Sequence, residues 1–90
     1  MKYINMYFNE INKVTDLNKM IEWKAFFIKQ FNILKHDYNH YAILIQEQSN
    51  NLMAVKDYIK WLNKNIDDMK DFKFLINLCN KRIAKLKGGE

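Results

Sequence analysis

The sequence predicts an all-α fold: a compact antiparallel bundle of three to four helices with one long central helix. Three observations carry this reading. The 90 residues contain no proline, and both glycines stand together as Gly88-Gly89. A chain without internal breakers can run in long helices. Apolar residues recur at three-four spacing almost throughout, the period of a helix with one buried face. The polar clusters that interrupt this rhythm are rich in residue types that cap helices. The length suits one domain, residues 1–90, near the lower limit at which a single hydrophobic core suffices without disulfides or metals.

Tyr3, Ile4, Tyr7, Phe8, Ile11 and Val14 outline a short amphipathic first helix. Thr15-Asp16 reads as a break and a new N-cap, because either side chain can accept an orphan backbone N–H. The second predicted helix runs from about Asp16 to Gln48, roughly 50 Å at 1.5 Å per residue. Leu17, Met20, Ile21, Trp23, Phe27, Ile28, Phe31, Leu34, Tyr38, Tyr41 and Ile45 share its broad apolar face. The competing reading is a kink near Asp37, which can cap a fresh helix. Ser49-Asn50-Asn51 is the clearest loop, since all three residues favour turns.

A third helix then presents Leu52, Val55, Tyr58, Ile59, Leu62 and Ile66 on one face. Asp67-Asp68 reads as the N-cap of a fourth, with Asp71 adding negative charge near its positive end. That helix buries Met69, Phe72, Leu75, Ile76, Cys79, Ile83 and Leu86. Lys81, Arg82, Lys85 and Lys87 suit its negative end, and Gly88-Gly89 terminates it.

Asn, Ile and Lys supply 12, 11 and 14 residues. Their codons are A+T-rich, so the bias reports the genome before it reports function. Fifteen basic and ten acidic residues leave a net charge of +5, modest for a dedicated nucleic-acid binder. All but one of the basic residues are lysine, so only Arg82 offers a bidentate guanidinium fork. The single cysteine, Cys79, cannot form an internal bridge. With no disulfide framework or signal-peptide pattern, a cytoplasmic location is expected. No apolar run approaches the roughly 20 residues of a membrane span.

The main functional clue is apolar surface off the core faces. Phe26, Ile33 and Leu44 form a second stripe on the long helix. Trp61 projects away from the Leu52–Ile66 face and Met53 lies on another flank; Phe74 and Leu78 sit across from Ile76 and Cys79. A small bundle buries about one stripe per helix. Either the long helix is flanked on both sides by its own chain, or these residues face a second chain. Aromatic residues and Met are enriched at interface cores, which makes Trp61, with Met53 or Tyr58 beside it, the best anchor for a partner.

The motifs that resemble chemistry are weak. His36 and His40 stand at the i, i+4 spacing by which a helix can chelate zinc, with Asp37 in place of the glutamate of metalloproteases. No third histidine exists, and two histidines on a solvated face explain the same residues. Asp67-Asp68-Met69-Lys70-Asp71 matches the D-D-x-x-D string that holds magnesium–pyrophosphate in prenyl-transferring enzymes. Those enzymes need a deep apolar cavity, and a capped helix start accounts for the carboxylates. Cys79, at a core position, reads as a small buried hydrophobe. There is no glycine-rich phosphate loop. No enzyme activity and no cofactor or metal is expected.

Lys56, Lys60 and Lys64 step by four along one flank, and Lys81, Arg82 and Lys85 add charge further on. Such stripes can neutralise phosphates, or can be the solvated faces of helices in a lysine-rich chain. No motif places the chain in a known family. Its size, helical pattern and A+T-rich usage look like the small accessory proteins of bacteriophages and mobile elements in low-GC bacteria. That resemblance implies stoichiometric binding, as an inhibitor or modulator of a host or defence complex. The expected function is therefore protein–protein interaction, with homodimerisation, a hetero-partner or a nucleoprotein target open. The alternative is a nucleic-acid-binding regulator using the lysine stripes.

Overall fold

A computed structural model describes residues 1–88, which form three helices and no strand: α1 (Lys2–Lys13), α2 (Leu17–Glu47) and α3 (Leu52–Gly88). The two loops fall where the cap residues stand. Val14 turns to extended backbone and stops α1. Asp16 then caps α2, its carboxylate accepting the Asn18 N–H at 3.0 Å. Asn51 caps α3 by accepting the Ala54 N–H at 3.2 Å. The long second helix is continuous through His36–His40, with no break and no fresh helix start at Asp37.

The expected break at Asp67-Asp68 is absent: the third and fourth predicted helices are one, and the molecule has two long helices instead of one. The reason lies in the seam beneath those aspartates. Tyr58, Leu62, Asn65, Met69, Phe72, Ile76, Cys79 and Ile83 alternate four and three apart without interruption. A cap residue in mid-helix costs only a few tenths of a kcal/mol, and an unbroken buried seam outweighs it. Gly88 still belongs to α3, so the terminator expected at Gly88-Gly89 starts inside the helix and ends outside the described residues.

α2 and α3 form an antiparallel hairpin in heptad register. Phe27 meets Phe72 (6.1 Å between rings), Asn65 donates a side-chain hydrogen bond to the Leu34 carbonyl (3.3 Å), and Tyr41 lies over Tyr58 (6.5 Å). Each step is seven residues on both helices, the geometry of coiled-coil packing.

α1 lies parallel to α3 and is held by it at both ends. Its N-terminal residue, Met1, provides no side-chain cap. Instead Asp71, buried on α3, accepts the Tyr3 N–H at 3.0 Å and pairs with the Met1 ammonium at 3.3 Å. A carboxylate here satisfies an orphan donor and complements the positive helix end. Asp71 therefore serves α1 and not, as its position after Asp67-Asp68 suggested, the start of a helix of its own. At the other end Arg82 donates from Nη2 to the Val14 carbonyl. Asp71 and Arg82 are as far apart along α3 as Tyr3 and Val14 are along the first helix.

This length match divides the molecule. Residues 1–28 and 71–88 form a three-helix head; residues 29–70 form a two-helix arm. The fully buried side chains Ile11, Met20, Phe27, Leu75 and Cys79, together with Phe72 and Asp71, all belong to the head, and no residue between 29 and 70 is buried. The molecule measures 58 × 19 × 14 Å, with a radius of gyration of 16.8 Å. A compact 90-residue domain would have about 12 Å.

Candidate functional site, the uncovered arm groove

In the head, α1 fills the groove between the two long helices. Tyr7 packs edge-on against Trp23, Phe26 and Phe27 of α2 at 5.2–6.0 Å, Tyr3 lies on Phe72 at 4.5 Å, and Ile11 has no exposed surface. α3 contributes Leu75 and Arg82 to this groove. Both belong to a heptad row whose earlier members are Trp61 and Asp68. On α2, Met20 and Phe27 belong to a row continued by Leu34 and Tyr41.

Past the N-terminus of α1 the groove continues with no third helix in it. It encloses about 320 Å³ and is lined by Leu34, Tyr41, Trp61, Lys64, Asn65 and Asp68. The same heptad positions that are sealed in the head are open here: Leu75 is fully buried and Trp61 is 45% exposed. The Trp61 ring is not free, however. It leans on Tyr41 of α2 at 5.7 Å and on Tyr58 at 6.1 Å, so it both closes the hairpin and faces outward.

The other candidate interface residues divide between the two regions. Met53 at 83% and Leu52 at 78% are the most exposed apolar side chains, at the tip of the arm. Ile33 is 47% exposed and Leu44 half-buried on the arm's α2. Phe26, Phe74 and Leu78 belong to the head instead. Phe26 packs under Tyr7, Phe74 neighbours Phe8 at 6.4 Å, and Leu78 packs on the core. Phe26 and Phe74 nevertheless keep 38% and 44% of their surface exposed, close to Trp61 at 45%, so the head carries exposed apolar surface as well. Ile21 and Ile28, assigned to the core face of the long helix, are exposed because α3 and α1 cover a narrower arc than eleven residues need.

The basic residues do not form one patch. Lys56, Lys60 and Lys64 are exposed on the arm, while Lys81 and Lys85 are exposed beyond the head core, about 25 Å further along α3. Arg82 is half-buried and committed to Val14, with its Nε without a partner. Residues 29–70 carry six basic and five acidic side chains, and the described part of the head nine and four. The excess positive charge is thus a property of the head.

His36 and His40 are both exposed on α2, and among the described residues no three His, Cys, Asp or Glu side chains come together as a metal site. Asp67 is exposed and Asp68 half-buried within α3. Cys79 is sealed in the head core; desolvation pushes its thiol up to about 11, against a smaller opposing pull from Lys24. It is a neutral thiol at physiological pH, with weak nucleophilic character. No described helix is long and apolar enough to cross a membrane. Nothing in the sequence pointed to the Asp71 and Arg82 clamp except their placement: a carboxylate and the lone arginine stand beside core positions, three turns apart.

No protein-family model matches the chain, and no curated protein and no solved structure matches it either.

Proposed function

We propose that this is a small non-enzymatic binding protein that acts by stoichiometric protein–protein contact through its arm, as an inhibitor or modulator of a cytoplasmic complex. The observation that carries the reading is the arm itself. It presents Ile33, Ile43, Leu52, Met53, Ile59 and Trp61 to solvent along a two-helix hairpin with no interior. A half-exposed tryptophan lining an open groove is a favourable anchor for a partner. The resemblance to phage and mobile-element accessory proteins is one of type and supports a host or defence complex as target.

The test is affinity capture from the native host with wild-type protein and the Trp61→Ala variant. Binding lost with no more than the small fall in melting temperature that about 1 kcal/mol implies supports the reading. Retained binding, or a melting temperature that collapses, places the contact elsewhere.

A second reading, nucleic-acid binding, rests on the basic excess of the head. It requires association that weakens steeply with salt and falls when Lys81 and Lys85 are removed together. The split of the lysines favours the head over the Lys56, Lys60 and Lys64 flank as the contact.

A further inference from the structure

We infer that the arm groove is filled by the arm of a second copy, making an antiparallel four-helix bundle with one head at each end. The proposal rests on the same exposed arm as the proposed function, but it names the occupant.

The shape of the occupant follows from α1. In the head the groove between the long helices takes a helix, and the groove lining continues along the same heptad rows into the arm. What fits there is another helix, lying end to end with α1. The open stretch of α3, residues 52–70, is about 28 Å long and is centred on Trp61.

The choice of a second copy rests on area and on charge. The chain exposes 6595 Å², about 1,000 Å² more than the roughly 5,600 Å² expected of a folded monomer of this mass. A standard interface removes about 800 Å² per partner. Pairing the arms therefore accounts for most of the excess.

Charge selects the partner's orientation. Asp57 and Lys64 are both exposed, seven residues apart on one face of α3, four before and three after Trp61. Under a two-fold axis near residues 60–61, Asp57 of each copy meets Lys64 of the other. A residue pair flanking the axis with opposite signs is satisfied twice in an isologous interface. The arm is also nearly neutral overall, six basic against five acidic residues, so two arms approach without the repulsion the heads would impose.

Light scattering and charge reversal test this on the intact protein. Wild type at tens of micromolar is expected at about 22 kDa, twice the 11.0 kDa chain mass, with small-angle scattering giving a length near ~90 Å instead of about 60 Å. Asp57→Lys alone and Lys64→Asp alone should each weaken the dimer at least about tenfold, by setting like charges opposite one another. The double variant Asp57→Lys, Lys64→Asp should restore it. Circular dichroism and protection of Cys79 from thiol reagents verify that each variant is folded. A strict monomer at 100 μM sample concentration, or a dimer indifferent to both single reversals, overturns the proposal. A monomer that still captures a host protein through Trp61 would sink self-pairing and leave the proposed function standing. A dimer that captures nothing would do the reverse.

Discussion

The head and the arm share two helices and one heptad register, and differ by a third helix. At the head, Leu75 of α3 is sealed beneath α1. Two heptads earlier, Trp61 occupies the same kind of position and stands half in water. Asp71 and Arg82 make the same point with polar groups. Each is paired because an end of α1 lies against it, whereas Asp68 lines an open groove. What separates a core from a candidate binding surface in this molecule is therefore whether α1 lies over the groove, and not a change in the long helices.

The largest difference between the regions should appear in stability. Leu75→Ala empties a sealed site and is expected to cost about 3 kcal/mol, whereas Leu62→Ala in the arm should cost about 1 kcal/mol. Urea denaturation of dilute protein measures both. Equal costs would mean that the arm has an interior after all.

The next effect is alkaline. The Cys79 thiol is held from 9.0 up to about 11 by burial, so the folded head disfavours the thiolate. This contribution is fully present below pH 9 and is lost as pH rises towards about 11, at most about 3 kcal/mol. Cys79→Ala, which cannot ionise, should lose less stability than wild type between pH 8 and pH 11. Parallel losses would show that other groups dominate.

The clamp on α1 comes third. Asp71→Ala leaves the Tyr3 N–H without its acceptor and should cost about 2 kcal/mol, against about 0.5 kcal/mol for Asp68→Ala at the open groove. Similar values for the two would remove the distinction between a carboxylate that caps a helix and one that faces solvent. Trp61→Ala in dilute monomer is expected to cost about 1 kcal/mol through lost contact with Tyr41 and Tyr58, less than either head variant. Its melting temperature reads this directly.

The helical class, the loops at Thr15-Asp16 and Ser49–Asn51, and most of the head core were legible in the sequence, because periodicity and caps report local structure. The continuity of α3 was legible in principle as well. The seam from Tyr58 to Ile83 keeps its three-four rhythm straight through Asp67-Asp68, although the paired aspartates also carry the signature of a helix cap. Which apolar flank stays exposed was not legible. Phe26 and Trp61 both lie off a helix's main stripe and stay 38% and 45% exposed; the first packs under Tyr7 and the second faces the open groove. Only the placement of α1 makes that difference, and that is a tertiary fact.

Hydrogen exchange of the intact protein at two concentrations tests the account most directly. At low micromolar concentration, amides of residues 20–28 and 72–83 should be the best protected, and those of residues 33–47 and 52–66 should exchange through local opening. Raising the concentration a hundredfold should slow exchange in the arm by at least about tenfold while leaving the head unchanged. Uniform protection of head and arm, indifferent to concentration, would contradict an arm that lacks an interior and obtains one from a second copy.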